Sequence, residues 1–542
     1  MTPLRVRWLG RVPYGEAADL QSALWRGTAD HLLLLEHPPV YTLGVRADPA
    51  HVLVDPASVG AELVKADRGG DVTYHGPGQL VGYPVLSVPG RRAGGMAGTA
   101  AWVRSVEQVV IEALADLGLP GATREDAFPG VWVGDRKIAA IGVRLSRGRS
   151  KHGFALNVDP DLSMFDHLVP CGITDRGVTS LAAEGVSASM HEVVDAVAAR
   201  AAQRWGTSGT ERQDVAWRTT PGDLAPFSRG QEASTPVRLN RRLAEAGVSQ
   251  GLTIGERKPG WLRAPVRMGE DYLSLKHTMR DLSLVTVCEE AGCPNIYECW
   301  ADGTATFMIN GERCTRACGF CLVDTRHPEP LEADEPERVA EAVERMGLAH
   351  AVVTAVARDD LRDGGAAAFA ATVAAIRRRT PGCAVEVLIP DVKGDGAALD
   401  LLLASRPDVV NHNLETVARL QRAVRPSAGY ARSLVVLARA KAARLVTKSG
   451  IILGMGETDA EVRGALADLA GVGVDIVTLG QYLRPTAAHL PVARWVPPEG
   501  FAALRAVGLA LGIGHVEASP LTRSSYHARS AAASVSVTAS AG

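Results

Sequence analysis

The strongest constraint on this chain is a cluster of cysteines in residues 288–321. Six of its eight cysteines fall within these 34 positions. Cys314, Cys318 and Cys321 have the spacing C-x3-C-x2-C, so their three thiolates can converge on one small soft-metal group. A closed zinc site needs a fourth ligand, and His327 leaves zinc as a weaker alternative. The spacing favours a [4Fe–4S] cluster with one iron that has no protein ligand.

The C-x3-C-x2-C trio is the signature of radical S-adenosylmethionine enzymes, and the chain resembles that family. A second trio, Cys288, Cys293 and Cys299, has the spacing C-x4-C-x5-C and precedes the first. Two further motifs are Thr-Ala-Thr-Phe-Met-Ile-Asn at 304–310 and Arg-Ser-Ser-Tyr at 523–526. With them, the C-terminal half of the chain is similar to lipoyl synthases.

This resemblance implies two [4Fe–4S] clusters and S-adenosylmethionine as cofactors. The cluster on the C-x3-C-x2-C trio chelates S-adenosylmethionine, and an electron from it yields a 5′-deoxyadenosyl radical. The second cluster, on the C-x4-C-x5-C trio, supplies sulfur. Its fourth ligand is implied to be Ser525, with Ser524 as the alternative. A serine oxygen is a hard ligand for iron, so this bond is expected to yield when sulfur is extracted.

A glycine-rich stretch marks the N-terminal half. Residues 68–80 carry Arg68, His75 and four glycines within eleven positions. Such a stretch indicates either backbone that passes close to a ligand or simply a tight turn. Taken alone, the glycines favour the tight turn, because glycine most often marks special backbone geometry only.

Two further residues in this half are candidates for chemistry. Lys137 lies in Arg-Lys-Ile-Ala-Ala-Ile-Gly, and Cys171 lies in Val-Pro-Cys-Gly-Ile. On position alone, Lys137 is better explained as a solvated lysine at a strand edge and Cys171 as an inert buried thiol. With the glycine-rich stretch and residues 152–158, they follow the order found in octanoyltransferases, which are relatives of lipoate and biotin protein ligases. The resemblance covers residues 30–182.

The resemblance implies that Cys171 accepts the acyl group and that Lys137 is its partner. An ammonium lowers the pKa of a nearby thiol, and a neutral amine can take a proton from an incoming lysine. The implied octanoyl-binding residues are Arg68, Gly69, Gly70, Asp71, Val72, Thr73, Tyr74, His75, Ala140, Ile141, Gly142, Gly153, Phe154 and Ala155. The alternative is an ATP-dependent lipoate or biotin ligase, which needs no cysteine.

Length and pattern predict an α/β protein of two domains. A chain of 542 residues is expected to form more than one core. We expect an α+β octanoyltransferase domain of the biotin/lipoate protein ligase type at 1–215, and a linker at 216–252. A lipoyl synthase domain at 253–528 and a disordered tail at 529–542 follow. Apolar strands alternating with helices after the cysteines predict a parallel sheet, and hence a partial (β/α)6 radical S-adenosylmethionine barrel.

Polar residues follow the predicted strands of this barrel, where barrel enzymes carry their chemistry. They are Arg358, Asp359, Asn413, Glu415, Lys448, Gln481 and Arg484. Asn413 and Glu415 are two positions apart at a strand end and therefore face the same side. We expect these two side chains to bind the methionine ammonium of S-adenosylmethionine.

Composition limits the classes of partner that the chain is expected to bind. With 46% hydrophobic residues, 22% charged residues and a net charge of −2, neither a nucleic-acid surface nor a polybasic membrane patch is expected. The sequence shows no leader and no apolar run of bilayer length, so a cytoplasmic protein is predicted. The resemblances imply octanoyl-acyl carrier protein, lipoyl domains of 2-oxoacid dehydrogenases, the glycine cleavage H protein, and an electron donor such as ferredoxin or flavodoxin.

The predicted function is a two-step protein lipoylation. The first domain transfers an octanoyl group to a lysine of a lipoyl domain, and the second inserts sulfur at C6 and C8 of that chain. A different sulfur-inserting radical enzyme, acting on a biotin precursor or on tRNA, is the alternative for the second domain. A protein that only stores iron–sulfur clusters would explain the cysteines but not the acyltransferase motifs.

Overall fold

The structure is a computed structural model of the 542-residue chain. It describes residues 3–88, 96–126, 128–169, 176–217, 243–244, 246–248, 258–262, 279, 281–282, 284–286, 295, 299 and 303–539. The chain divides into two compact units, Met1–Trp217 and Arg218–Gly542. This division lies two residues after the predicted end of the first domain.

The first unit is a mixed α+β fold. Its strands are β1 (Leu4–Arg11), β2 (His31–Glu36), β3 (Val40–Leu43), β4 (Glu62–Lys65), β5 (Val72–His75), β6 (Gln79–Val85), β7 (Thr123–Arg124), β8 (Gly130–Val133), β9 (Arg136–Ser146), β10 (Arg149–Asn157) and β11 (Thr210–Asp214). Its helices are α1 (Tyr14–Arg26), α2 (Met96–Asp116) and α3 (Met190–Trp205). One sheet has the order β11-β1-β2-β6-β10-β9-β8-β7, and a smaller one has the order β4-β3-β5.

The large sheet is fixed by burial of its central strands. Leu32 and Leu34 of β2 are fully buried and belong to the same core cluster as Val106 of α2 and Val197 of α3. Helix α3 begins at a capping box, in which Ser189 and the Glu192 side chain satisfy each other's backbone amides. The packed helices hold β10 and β9 in register beside these strands, which is where the first candidate site lies.

The second unit is built on a sheet of order β12-β13-β14-β15-β16-β17-β18-β19. Its strands are β12 (Val285–Thr286), β13 (Thr304–Ile309), β14 (His350–Ala355), β15 (Ala384–Leu388), β16 (Val409–Asn411), β17 (Val446–Leu453), β18 (Ile476–Gln481) and β19 (His515–Ala518). Its helices are α4 (Glu335–Arg345), α5 (Ala366–Arg379), α6 (Gly396–Ala404), α7 (Gln421–Val424), α8 (Tyr430–Ala442), α9 (Asp459–Gly471), α10 (Pro498–Ala510) and α11 (Ala528–Ala539).

The strands from β13 to β19 are all parallel, so the predicted α/β class and barrel architecture are confirmed. The six strands predicted after the cysteines are β14 to β19. One further parallel strand, β13, covers most of the 304–310 motif and is buried at every position. Within the described residues, no helix combines the length and apolar character needed to cross a membrane.

A buried ion pair lies between β15 and β17. The Nζ atom of Lys448 is 3.0 and 3.1 Å from the two carboxylate oxygens of Glu386, and both side chains are fully buried. Asn411 donates to the same carboxylate at 2.9 Å. Burial raises the pKa of this carboxyl group, but attraction to Lys448, together with the hydrogen bonds of His350 and Asn411 and the charge of His350, outweighs burial and lowers the pKa of Glu386 to about 2. Lys448 was expected at a strand end. It is instead the third residue of β17, and its ammonium forms this buried ion pair.

Part of the segment predicted as a linker packs onto the second unit. Leu243 is 2% exposed, and the Arg419 guanidinium donates to the carbonyl of Ala246. The same guanidinium donates to the Gly456 carbonyl at 2.9 Å. Apolar Leu243 and Val248 explain the difference from the prediction, since both have side chains to bury.

The tail also differs from the prediction, because residues 528–539 form helix α11 instead of a disordered segment. Ala531 and Val535 of this helix are buried in one cluster with Ile476 of β18. Alanine has the highest intrinsic helix propensity, so a small apolar contact is enough to hold an alanine-rich segment in a helix.

Lys448→Met should destabilise the second unit by about 3–5 kcal/mol, because it leaves the Glu386 carboxylate buried without a cation. Combining it with Glu386→Gln should recover most of this loss. Differential scanning calorimetry measures both effects. Lys441→Met is the control, since Lys441 is 41% exposed in its pair with Asp475 and should matter by less than about 1 kcal/mol. Equal effects of Lys448→Met and Lys441→Met would contradict this account.

Candidate functional site

A cavity of about 340 Å³ lies in the first unit. All the sequence-predicted octanoyl-binding residues line it except Tyr74. They are Arg68, Gly69, Gly70, Asp71, Val72, Thr73, His75, Ala140, Ile141, Gly142, Gly153, Phe154 and Ala155. Lys137 lines the same cavity. Three separate stretches of sequence therefore meet around one space.

Glycines allow the walls of this cavity to approach each other. Gly142 of β9 is opposite Gly153 of β10 in the antiparallel register. A Cβ atom on Gly153 would lie 2.1 Å from the Gly82 carbonyl oxygen, and one on Gly142 would lie 3.0 Å from that of Gly69. Side chains at these two positions would push the strands and the 68–71 loop apart, so glycine is required by close backbone approach.

The glycine-rich stretch is a loop followed by a strand. Residues 68–71 form the loop, and Gly70 has a φ of +93°, which favours glycine. Residues 72–75 are β5, which pairs with β3. Tyr74 does not line the cavity and packs 5.5 Å from the rings of both Tyr41 and Phe165.

Lys137 is held beside an aromatic ring. Its ammonium lies 4.7 Å from the centre of the Trp132 ring, a cation–π distance. The backbone amide of Lys137 donates to the Gly177 carbonyl, and its carbonyl accepts from the Thr179 amide, both at 3.0 Å. The segment that follows 170–175 is thereby tied to the start of β9.

Cys171 lies outside the described residues, which stop at Val169 and resume at Arg176. Residues on both sides of this interval, Leu168 and Arg176, line the cavity. The Arg176 guanidinium is 2.5 Å from Glu125. The described residues that flank 170–175 on both sides therefore lie at the cavity wall.

Buried rings form another part of this wall. Burial lowers the pKa of His152, which lines the cavity, to about 4, and it also lowers the pKa of His37, which hydrogen-bonds to the lining residue Tyr83, to about 4. Both rings are therefore neutral at neutral pH. The Tyr83 hydroxyl donates to His37 Nε2 at 2.8 Å. Burial also raises the pKa of Tyr14 to about 12. The rings of Tyr14 and His152 are thus uncharged parts of a lining that also contains Arg46, Arg68, Asp71, Lys137 and Arg176.

The cysteines of the radical trio lie in a loop that follows β13 in the second unit. Burial raises the pKa of Cys318 to about 11, and burial together with repulsion from Cys318 raises that of Cys321 to about 12. Three thiols, including Cys314, are thus gathered where free thiolates are costly. Iron supplies positive charge that removes this cost, so the set fits a cluster bound by three cysteines.

The zinc alternative gains no ligand from His327. This side chain is exposed and donates from Nδ1 to the Pro328 carbonyl at 2.9 Å. In the described ranges, no three Cys, His, Asp or Glu side chains converge on a single ion position. The cysteines of a cubane cluster bind different iron corners, so this finding concerns single-ion sites alone.

Arg316, within the C-x3-C spacing, fixes the cysteine loop to the barrel. Its guanidinium makes two 2.8 Å bonds to Asp359 and one 2.6 Å bond to Asp391. Asp359 follows β14 and Asp391 follows β15, and Arg316 is only 7% exposed. Burial opposes ionisation of Asp391, but the charge of Arg316 lowers its pKa. Sequence reasoning missed Arg316 and Asp391.

A second contact holds the other end of the loop. His489 donates from Nε2 to the Cys321 carbonyl at 2.9 Å, and the Leu490 amide donates to the Gly319 carbonyl at 2.9 Å. Thr486 Oγ1 lies 2.8 Å from His489 Nδ1, which sets the orientation of the ring. The segment that follows β18 therefore packs on the cysteine loop.

Asn413 and Glu415 lie beside the same cysteines, since the charge of Glu415 influences the pKa of Cys318. The Asn413 amide donates to Glu415 at 3.0 Å, and Glu415 has a φ of +65°. The Oδ1 atom of Asn413 is buried without a hydrogen bond from any described residue. A Cβ atom on Gly450 would lie 2.8 Å from this oxygen. A carboxylate and an available amide oxygen fit an ammonium ligand.

Two neighbouring groups shape the edge of the barrel. Glu457 accepts from the amides of Gly454 at 2.6 Å and Met455 at 3.0 Å, which orders the loop after β17. Gln481 donates to the Leu453 carbonyl at 3.0 Å and accepts from the Val496 amide at 2.8 Å. Gln481 is therefore used for backbone contacts. Glu457 is a residue that sequence reasoning missed.

Of the C-x4-C-x5-C trio, the structure describes only Cys299, which is partly buried against the core. Cys288 and Cys293 lie outside the described residues. Asn295, inside this trio, donates to the Leu521 carbonyl at 2.7 Å. Leu521 precedes Ser525 by four residues, and Ser525 lies half-buried in the turn before α11. A hydrogen bond therefore connects the segment of the C-x4-C-x5-C trio with the chain that leads to the predicted serine ligand.

Arg316→Lys should loosen the cysteine loop, because an ammonium cannot reproduce the forked contact with Asp359 and the bond to Asp391. We expect iron to be lost to a chelator at about tenfold lower chelator concentration than in the unchanged protein. Arg326→Lys is the matched control, since Arg326 is 75% exposed and pairs with Asp324. The same chelator sensitivity in both variants would show that Arg316 does not support the site.

Comparisons with known families agree with the two units. The lipoyl protein ligase A/B catalytic domain matches residues 13–202. The N-terminal domain of lipoyl synthase matches residues 210–293, and the radical SAM superfamily matches residues 308–469. Both candidate sites lie within matched regions or directly beside them.

Lipoyl synthases are close relatives over about half of the chain. The lipoyl synthase of Rubrobacter xylanophilus is 58% identical over 273 residues, which are 50% of this chain and 85% of that protein. That of Kineococcus radiotolerans is 51% identical over 55% of this chain and 87% of its own length. That of Mycolicibacterium paratuberculosis is 54% identical over 53% and 94%. The chain therefore belongs to the lipoyl synthase family, and it carries a lipoyl protein ligase A/B catalytic domain fused to the synthase.

Proposed function

We propose that the chain is a bifunctional enzyme of protein lipoylation. The first unit transfers an octanoyl group from octanoyl-acyl carrier protein to a lysine of a lipoyl domain, through a thioester on Cys171. The second unit then inserts sulfur at C6 and C8 of the octanoyl group. The observation that carries this proposal is the acyl cavity, which is lined by Lys137 and by residues on both sides of the segment that holds Cys171.

The transfer balances with the residues at hand. The Cys171 thiolate attacks the thioester carbonyl and an acyl-enzyme forms, while the Lys137 ammonium gives its proton to the departing thiolate, so the carrier protein leaves as a thiol and Lys137 becomes a neutral amine. The acceptor lysine then attacks the acyl-enzyme, the Cys171 thiolate leaves, and Lys137 takes the proton from the attacking amine. Before the first step, the Lys137 ammonium favours the thiolate form of Cys171.

The competing function for this unit is an ATP-dependent lipoate or biotin ligase. That reaction starts from a free acid and proceeds through an acyl-adenylate, so it does not need Cys171. The sequence contains no P-loop for the phosphates of ATP. Dependence on ATP and on Cys171 separates the two reactions.

In the second unit, Cys314, Cys318 and Cys321 would hold the radical cluster, and Asn413 with Glu415 would hold the ammonium of S-adenosylmethionine. The bound cofactor supplies the radical that activates the C–H bonds. Arg316 and His489 keep the cysteine loop at the barrel edge, and Glu415 presents its carboxylate from a constrained backbone.

The second cluster would be held by Cys288, Cys293, Cys299 and Ser525, and it supplies the inserted sulfur. Asn295 supports this assignment, because it joins the cysteine segment to the chain just before Ser525. We infer that the acceptors are lipoyl domains of 2-oxoacid dehydrogenases and the glycine cleavage H protein. A ferredoxin or flavodoxin would supply the electrons, in the cytoplasm.

Cys171→Ala should abolish acylation of an apo lipoyl domain by octanoyl-acyl carrier protein, and Lys137→Met should slow it at least about 100-fold, as expected for loss of an acid–base group. Mass spectrometry of the acceptor measures both. Cys383→Ala is the control, because Cys383 is buried in the core of the other unit. Acylation by Cys171→Ala, or acylation by the unchanged protein only with ATP, would favour the ligase.

Cys288→Ala should leave the acceptor at the octanoyl stage, because the source of sulfur is removed while acyl transfer continues. Its reconstituted iron content should fall by one four-iron cluster, whereas Cys383→Ala should keep the full content. Reductive cleavage of S-adenosylmethionine should survive in Cys288→Ala and disappear in Cys314→Ala. Sulfur insertion by Cys288→Ala would refute the assignment of the second cluster.

A further inference from the structure

A hydrogen-bonded pair, His51 and Asp71, lies at the edge of the cavity and takes no part in the proposed thioester steps. His51 donates from Nδ1 to Asp71 Oδ2 at 2.6 Å. The Asp71 side chain lines the cavity and is 9% exposed, whereas the His51 side chain is 30% exposed. The pair therefore reaches from the cavity wall to solvent.

Three buried atoms of the cavity lining have no hydrogen bond to any described residue. They are Tyr14 Oη, His152 Nδ1 and Asp71 Oδ1. Asp71 is the only acidic side chain among the described residues of the lining, whose cationic members are Arg46, Arg68, Lys137 and Arg176. Buried polar groups normally find partners, and a carboxylate oxygen accepts hydrogen bonds only. Asp71 is therefore the lining side chain that suits a positively charged ligand group.

The ring of His51 is held so that one nitrogen is available. His51 ends a single turn of helix, Pro49–His51, and its carbonyl accepts from the Val169 amide at 2.9 Å. Because Nδ1 carries the proton that is donated to Asp71, the neutral ring has its lone pair on Nε2. This atom makes no hydrogen bond within the part of the chain that the structure describes. A histidine oriented in this way by a carboxylate has the geometry of a general base.

The pair lies near the proposed acyl-enzyme. Val52 and Leu168 form an antiparallel bridge, so His51 lies opposite Val169. Val169 precedes Cys171 by two positions, and two residues of chain span at most about 7 Å. Opposed α-carbons of antiparallel chains are about 5 Å apart, which places the α-carbons of His51 and Cys171 within roughly 12 Å. Two side chains with an amine between them bridge such a distance.

The acceptor lysine needs a base before it can attack. The ordinary pKa of a lysine is about 10.4, so the acceptor arrives as an ammonium, which has no lone pair. In the proposed transfer, Lys137 takes the proton that the neutral amine loses during attack. The earlier proton, which the ammonium loses, goes to another group. The cations of the lining favour this loss, because they repel a further positive charge in the cavity.

We propose that His51 and Asp71 form the entry site for the lysine of the acceptor protein. The negative charge of Asp71 attracts the ammonium to the cavity edge. The ammonium gives one proton to His51 Nε2, and the electron pair of the broken N–H bond becomes the lone pair that attacks the thioester. Asp71 stabilises the resulting imidazolium, which then releases its proton to water. This inference rests on the proposed acyl transfer and assigns the groups that prepare its second substrate.

Single-turnover reactions with two nucleophiles test this role. The full chain is acylated with octanoyl-acyl carrier protein and then mixed with an apo lipoyl domain or with hydroxylamine, which is already neutral at neutral pH. His51→Gln keeps a donor for Asp71 but has no basic nitrogen. It should slow octanoylation of the lipoyl domain at least about 100-fold, as expected for loss of a general base, and leave formation of octanoyl hydroxamate unchanged. Mass spectrometry measures both products.

His167→Gln is the matched control. The His167 ring lies 2.9 Å from the Tyr41 hydroxyl, and its carbonyl accepts from the Leu53 amide, so it neighbours His51 without contacting Asp71. This variant should leave both rates unchanged. Equal slowing with both nucleophiles in His51→Gln, as expected of a merely structural residue, overturns the proposal. An unchanged rate with the lipoyl domain also overturns it.

The same reactions separate this inference from the proposed function. If the octanoyl-enzyme forms and His51→Gln acylates the lipoyl domain at the unchanged rate, the transferase function stands and the role of His51 fails. If acylation instead requires free octanoate and ATP, the transferase function fails. The role of His51 then stands only if His51→Gln slows that acylation and does not slow formation of the hydroxamate.

Discussion

The C-terminal site depends on the buried guanidinium of Arg316. Asp359 and Asp391 follow neighbouring strands. Without the Arg316 guanidinium between them, their two carboxylates would repel each other in a largely buried position. The fork of Arg316 satisfies both, and its own backbone carries the cysteine loop. One side chain thus neutralises the barrel edge and sets the position of the cluster ligands. The contact from His489 to the Cys321 carbonyl then fixes the loop at its other end.

The cavity of the first unit is shaped by close backbone contacts instead of by a buried ion pair. Close backbone approach at Gly142 and Gly153 shapes it, and neutral rings line one side. Ionisable side chains line it as well, among them Arg68, Asp71 and Lys137. An apolar chain and a reactive carbonyl are thus accommodated in one cavity. The two units therefore offer different environments, a cavity with uncharged rings in the first and a buried cysteine loop in the second.

Much of this organisation follows from sequence. The cysteine spacing, the order of the acyltransferase motifs and the apolar runs that became strands from β14 to β19 all lie in local pattern. Contacts between residues far apart in the sequence cannot be predicted from local pattern. Arg316 meets partners 43 and 75 residues away, and no local signal shows which acidic residues they are. The pattern placed Lys448 at a strand end, but β17 begins two residues before it, so Lys448 lies inside the strand. Helix α11 forms through contacts with β18 that its sequence does not reveal.

The central claim is that one chain carries out both steps on one acceptor. Its most direct test is an anaerobic single turnover of the reconstituted, unchanged protein. The mixture contains octanoyl-acyl carrier protein, an apo lipoyl domain, dithionite and S-adenosylmethionine, and no ATP. Mass spectrometry should find the acceptor lysine carrying an octanoyl chain with two added sulfur atoms. An acceptor that stays unmodified, or that stops at the octanoyl stage, would contradict the account.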